Sequence, residues 1–494
     1  MSGGLDILTL HGCFMIKVLL LSISLCSFTL LAKNTVLIEN VTIVSSHLQA
    51  PQIKMNVLLD NGRITHISRD KIISYNSKIN GTDKFLTPGL MDSHAHVSSI
   101  PGMGFGVEVV ASQYPELVKA YFEQQPKSFL YYGVTQVLDP NPGLHYKHFT
   151  SGANHPDYLR CEVITSKNTF PYVKKVDDKS KTMFTYVIDE AASAHETNSA
   201  EHAVLNIYNS GASCIKLYFE DGYGNASQWQ TFTPKTLKRI KASADKVNLP
   251  ILAHANALDM QQLALAASVD VIAHGMWNWG QYSRQANIAK EMSVTLDKII
   301  ADKVGYMPTQ RVIAGLGELM NPTIAGSAEF LSVTPKSLIN WYKTPQAQWF
   351  KEELRVGFDG MADQAIAEVF LYGRIGKGNQ VIKYLNAAKH PILLASDFPG
   401  SPSFANQPGL TSFQEMKAMA NAGLTLEDIL AAATVNNAKQ FKIAQDYGTV
   451  EVGKIANLLL LNSNPLDSID AWNSIETIIL HGKPLARADL IANK

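Results

Sequence analysis

Residues 85–97 read FLTPGLMDSHAHV. An apolar run climbs to Asp92 and then delivers two histidines one residue apart, His94 and His96. In a strand, residues i and i+2 share a face, so both imidazoles end a buried element pointing the same way. With 14 histidines in 494 residues, such a pair arises by chance about 0.4 times. It therefore carries weight only if the rest of the chain supplies partners for a shared ligand, such as a metal ion.

Outward from this stretch, short apolar runs recur between helical segments. They lie at 85–92, 133–138, 158–165, 212–219, 249–254, 269–274, 303–309 and 391–396. Near-continuous apolar strands alternating with helices specify a parallel sheet covered on both faces. Eight such units predict an α/β fold of the closed (β/α)8 TIM type over 85–445, with a doubly wound open sheet as the alternative. The stretch 311–388 is too long for one crossover. It is rich in helix formers and aromatics (WYKTPQAQWFKEEL), which predicts a helical insertion that could cover the barrel mouth.

The chain ends read differently. Residues 35–84 alternate apolar and polar, with Asp60-Asn61-Gly62 as a hairpin turn, and 448–461 and 474–485 are strand-like, with Gly482 turning the last pair. Neither end has enough strands to stand alone. Residues 33–84 and 446–494 are therefore expected to join in one small composite β-sandwich.

Composition bounds the function. Apolar content is 46%, charged content 17% and formal net charge +0, which is globular and without a disorder signature. No basic run or stripe appears, so no nucleic-acid partner is expected. Residues 17–32 (KVLLLSISLCSFTLLA) form a basic residue followed by a short apolar core. That fits a signal peptide over 1–32, with Met15 as an alternative start and an uncleaved anchor as the alternative reading. The mature protein is expected to be exported, periplasmic or secreted, with no stable membrane span after cleavage. Of four cysteines, Cys13 and Cys26 fall in the leader. Cys161 and Cys214 fall on neighbouring strands and are read as two buried free thiols, a single bridge remaining open.

Barrel active sites lie at the C-terminal ends of the strands. There the first strand carries His94 and His96, the fourth Lys216, the fifth His254, the sixth His274 and the eighth Asp397. Each interrupts or ends an apolar run, and buried imidazoles, an amine and a carboxylate need partners. Singly, each has an ordinary explanation: a core histidine, a strand-end lysine reaching solvent, an aspartate starting a turn. Jointly those explanations demand coincidences at five strand ends.

The pattern resembles the amidohydrolase superfamily, specifically its binuclear-metal members with a carboxylated lysine (the peptidase- and imidazolonepropionase-like branch). FLTPGLMDSHAHV resembles the family's first-strand signature and GASCIK its lysine strand. GLTLEDILAAATVNNAKQF followed by GTVEVGKIANLLLL resembles its C-terminal signature. Asn457 stands where the family usually has aspartate. The resemblance covers nearly everything after the leader. It implies that His94, His96 and Asp397 hold one divalent metal ion and His254 and His274 a second. It implies further that Lys216, carbamylated by CO2, bridges the two. Zinc suits such ligands; manganese, cobalt and iron stay open. The implied chemistry is hydrolysis by a metal-bridging hydroxide, with Asp397 passing the proton to the departing amine.

Deaminases of this superfamily carry a glutamate three residues after the fifth-strand histidine; here that residue is Ala257. This points to hydrolysis of an amide C–N bond in a dipeptide, an N-acyl amino acid or a similar small molecule. A lactonase or cyclic-amide hydrolase with the same centre, and a non-catalytic metal-binding barrel, are the alternatives; the intact Asp397 argues against the last. Candidate substrate contacts on the loops are His145, Tyr218, Tyr223 and Arg311, with Asp139, Trp277 and Trp279 nearby in sequence. A homo-oligomer is compatible with the sequence.

Overall fold

The computed structural model describes residues 35–104, 112–173, 184–222 and 227–493. The expected leader at 1–32, with Cys13 and Cys26, and the candidate contact Tyr223 lie outside the described residues.

One sheet is built from both chain ends. It comprises β1 (Val36–Ile43), β2 (Gln52–Asp60), β3 (Arg63–Ser68), β4 (Ser77–Asn80) and β5 (Phe85–Pro88). The C-terminal end adds β14 (Leu458–Leu461), β15 (Ile475–Leu480) and β16 (Lys483–Ala486). The order is β16-β15-β14-β5-β1-β2-β3, with β4 on β1. Between the paired residues Asp60 and Arg63, Asn61 and Gly62 have φ of 49° and 79°. Two positive φ values make the two-residue turn whose twist matches the strands it joins. Strand β14 reads LLLL and is buried throughout. Leu458 and Leu460 pack in the sheet's own core with Ile38, Val57 and Ile479. Leu459 and Leu461 belong to the large core shared with the barrel. With both faces covered, alternation has no reason to appear.

The second sheet is parallel: β6 (Leu90–Asp92), β7 (Val134–Asp139), β8 (Asp157–Ser166), β10 (Cys214–Tyr218), β11 (Ile251–His254), β12 (Val271–Ala273) and β13 (Gly305–Met307), paired in that order. A short strand not foreseen, β9 (Tyr186–Ile188), pairs with the end of β8. The eighth segment forms no regular ladder, yet it closes the ring. Leu393 N–H donates to the Tyr306 carbonyl at 2.9 Å and Ser93 N–H to the Leu394 carbonyl at 3.0 Å. Met91, Leu138, Cys161, Cys214, Leu252, Val271, Met307 and Leu393 form an apolar cluster with one member from each strand position, which is the barrel interior. Alternate residues such as Val137, Ile215, Ile251 and Ile272 join the large core under the helices.

Two expectations need correction. Phe85–Pro88 belongs to the first sheet, and the barrel begins only at Leu90. The apolar run is continuous because it is buried in two sheets in succession. Cys161 and Cys214 are also not free: they form a disulfide. They are direct cross-strand partners on β8 and β10, both turned into the barrel, which brings the sulfurs together.

The insertion is helical, running from Gln310–Met320 through short helices to Gly376–Ala387. It docks on the loop that follows the paired histidines. Trp349 Nε1 donates to the Gly102 carbonyl at 3.0 Å and Tyr342 Oη to the Pro101 carbonyl at 3.0 Å.

Asp157, at the start of β8, ties the barrel to the first sheet. It accepts from Asn457 Nδ2 at 2.7 Å, Tyr447 Oη at 2.9 Å and His481 Nε2 at 2.7 Å. Asn457 Oδ1 in turn accepts the His481 N–H at 2.8 Å. The asparagine is therefore needed as a donor, because an aspartate there would set two carboxylates face to face. Asn457→Asp is expected to destabilise the fold by about 1–3 kcal/mol at neutral pH. The loss should shrink on acidification, as a protonated carboxyl restores the donor. Thermal melts at pH 7 and pH 5 check this, and equal melting temperatures at pH 7 would refute it.

Candidate metal centre

Two strands end on their ligands by pleat parity alone. In β10, Cys214 is interior, so Lys216 and Tyr218 share its face; in β11, Leu252 is interior and His254 follows it inward. The other ends depend on local backbone. Val271 and Ala273 are both interior, so a continued pleat would turn residue 274 outward. His274 instead has φ of 82°, and this left-handed residue swings its imidazole to 3.5 Å from Asp397 Oδ2. Asp397 has φ of 53° and the β-branched Thr309 φ of 45°. Thr309 Oγ1 lies 3.0 Å from His274 Nδ1. Three strained residues meeting at one point mark a site whose geometry the surrounding structure enforces.

At the first strand, Asp92 does the enforcing. Its carboxylate accepts N–H groups of His94 at 3.2 Å and Ser396 at 3.0 Å, and the Ser412 hydroxyl at 2.6 Å. It thereby locks the start of the His-x-His turn to the segment carrying Asp397. His94 Nε2 and His96 Nε2 each lie 3.3 Å from Asp397 Oδ1. Among the described residues, His94, His274 and Asp397 bring their ligand atoms within 4.8 Å of one another. His254 completes the ring, its imidazole centroid 4.5 Å from that of His274.

Lys216 lies close to His94, His274 and Asp397. It is 1% exposed, and its Nζ has no hydrogen-bond partner. Burial pushes its pKa down to about 7 against the pull of the Asp397 carboxylate. Burial first, then neighbouring Lys216 and the other imidazoles, holds His94 well below 6.5. Burial first, then His254 and Lys216, does the same for His274. His94 and His274 are therefore neutral, the form that ligates metals, and at neutral pH a substantial share of the Lys216 amine is in the form that can react with CO2. The donor set fits a divalent cation: four imidazoles, a carboxylate and a buried amine. His94 Nδ1 and Lys216 Nζ are buried without partners, at a cost that only a bound group would offset.

Glu220 was not anticipated. Its buried carboxylate lies 3.1 Å from His254 Nε2 and accepts from Asn256 Nδ2 at 3.3 Å. A carboxylate on one ring nitrogen orients the imidazole and leaves the other nitrogen for an ion. The signal was present in the sequence: Lys216, Tyr218 and Glu220 share a parity. Glu415 was also missed. It accepts the N–H groups of Gln310 at 3.0 Å and Arg311 at 2.6 Å, and burial raises its pKa to about 8.

The candidate contacts separate. The Tyr218 ring lies 5.2 Å from that of His254. Asp139 is buried, accepts from Tyr158 Oη at 3.2 Å and is raised to about 6 by burial, an effect opposed by His96. Trp277 packs 5.6 Å from His274 and donates to Gln310 Oε1 at 2.9 Å, and Lys377 lies over Trp279; both tryptophans thus join the insertion to the barrel. His145 stacks on Phe122 and His148, and Arg311 is buried, its Nη2 donating to the Ala405 carbonyl at 3.4 Å. None of the ligand distances above involves either of these two.

Comparison with known proteins agrees with this architecture. The Christiangramia forsetii imidazolonepropionase is 31% identical over 101 residues, 19% of this chain and 24% of that protein. The aligned segment thus spans about a quarter of that relative's length. A Xaa-Pro dipeptidase structure superposes with a TM-score of 0.64 at 18% identity, over 92% of this chain and 100% of the other. Molinate hydrolase superposes with a TM-score of 0.66 at 16% identity, over 93% and 96%. These two show a shared fold. The model of the amidohydrolase family matches residues 214–485, more than half of the 494. The chain belongs to the amidohydrolase family.

Proposed function

We propose that this protein is a metal-dependent hydrolase of amide C–N bonds, acting on a dipeptide, an N-acyl amino acid or a similar small molecule. One observation carries the reading: a buried Lys216 amine without a hydrogen-bond partner, close enough to His94, His274 and Asp397 to interact with them electrostatically, beside the His94, His96, His254, His274 and Asp397 cluster. Carbamylated by CO2, Lys216 would bridge two ions, one held by His94, His96 and Asp397 and the other by His254 and His274. Two divalent cations here, zinc being the best match to these ligands, would polarise the scissile carbonyl and lower the pKa of water. Asp397 receives the proton of the attacking water and delivers it to the departing amine. Glu220 holds His254 in one orientation, and Asp92 holds the first-strand histidines against the segment bearing Asp397.

Export is part of the same proposal. The apolar stretch 17–32 supports it, and so does the Cys161–Cys214 disulfide, since such bonds persist in oxidising compartments. Among the described residues no helix is long and apolar enough to cross a membrane.

Elemental analysis of the purified protein, with a screen of dipeptides and N-acyl amino acids, tests the reading. About two metal ions per chain and turnover of at least one amide are expected. No metal, and no activity after adding zinc or manganese with bicarbonate, would leave a non-catalytic barrel.

A further inference from the structure

Three rings stand beside His254: Tyr218 at the end of β10, and Phe170 and Trp229 on the loops after β8 and β10. Phe170 stacks on Trp229, centroids 5.2 Å apart and planes 29° apart. Phe170 meets Tyr218 edge-on at 5.4 Å. Tyr218 lies 5.2 Å and Phe170 6.1 Å from the His254 ring. His254 is thus common to this cluster and to the ligand ring. All three aromatic residues are only half buried. The loops that carry them are tied together by a parallel bridge between Thr169 and Gln230, the neighbours of Phe170 and Trp229. Thr169 is itself fixed, accepting the Ser166 N–H at 3.0 Å.

A wall of large, partly exposed rings beside a polar, strained centre offers an apolar surface against which a ligand group can pack. Phe170 and Trp229 are too close to admit another ring between them, so the group must lie across the face of the wall. The buried Glu220 carboxylate behind His254 disfavours an acidic group there.

We propose that Phe170, Tyr218 and Trp229 form a specificity wall that selects amides bearing a large apolar side chain, aromatic or branched aliphatic, beside the scissile bond. This rests on the hydrolase reading above and adds the class of substrate.

The test compares binding and turnover in the purified, metal-loaded enzyme. Calorimetry measures N-acetylphenylalanine against N-acetylalanine. Kinetics compare Xaa-Ala and Ala-Xaa dipeptides with Phe, Leu, Ala, Asp and Lys at Xaa. We expect about a tenfold or greater preference for the phenylalanine ligand, and the same preference in kcat/KM at one of the two dipeptide positions. Trp229→Ala should bring that ratio toward one. Phe170→Leu, which keeps an apolar packing group, serves as the second variant and should reduce it. Equal binding of the two ligands, a preference for Asp, or a preference that survives both substitutions would overturn the wall. A binding preference that depends on Trp229 without turnover of any amide would support the wall and sink the hydrolase reading instead.

Discussion

Lys216→Ala is expected to lower amide hydrolysis by well over about a hundredfold, the range lost when only an outer partner of a metal ligand is removed. The reason is positional. Lys216 Nζ is buried close to His94, His274 and Asp397, and no hydrogen-bond partner satisfies it. Its burial, which brings the pKa to about 7, keeps the amine reactive toward CO2 at neutral pH. Alanine removes the bridge and leaves a small void. Acetate or propionate added in excess should partly restore both metal content and turnover by supplying a carboxylate in that void. Lys216→Met sharpens the test, because it fills the volume without a polar atom. In metal-stripped protein it should melt at the same temperature as the wild type or higher, since an unpaired buried amine costs stability. With metals it should be inactive. Full activity and metal in Lys216→Ala would remove Lys216 from the centre.

What could be read from the sequence followed from periodicity. The eight near-continuous apolar runs mark strands covered on both faces, the two hairpin turns join strands that alternate, and the polar residues stand out where those apolar runs end. His94, His96, Lys216, His254, His274 and Asp397 meet where strand ends converge in such a barrel. Other features depend on contacts far apart in the chain. Asp92 looked like the end of an apolar run, yet its partners Ser396 and Ser412 lie 304 and 320 residues away. Glu415 reads as one acidic residue on an amphipathic helix until the N-terminus of the Gln310–Met320 helix is placed against it. The break at Gly89 was hidden because Phe85–Pro88 and Leu90–Asp92 are both buried almost throughout, and burial does not say which sheet covers a strand. The Cys161–Cys214 bridge required the register of β8 on β10, which pattern alone leaves undetermined. His274 shows the limit most clearly. Its parity pointed outward, and only a left-handed backbone turns it to the ligands.

Asp397→Asn is expected to reduce kcat by about 10²–10⁴-fold, the range for loss of a positioned acid–base group, while leaving most of the bound metal in place. The substitution is unusually clean. Asparagine is among the few side chains that tolerate φ near 53°, the value at Asp397, so the backbone is not strained by the change. The amide oxygen can still face His94 and His96, whose Nε2 atoms lie 3.3 Å from Asp397 Oδ1. What disappears is a group able to take up and release a proton. The fall should therefore appear in kcat, with KM changed much less, because ground-state contacts remain. A loss confined to KM would mean that Asp397 orients substrate rather than moves a proton. Undiminished turnover would remove it from the mechanism. A substrate with a better leaving amine separates proton delivery from water activation. If Asp397 matters chiefly in protonating the departing amine, the defect should narrow for an activated anilide. If it matters in activating water, the defect should persist.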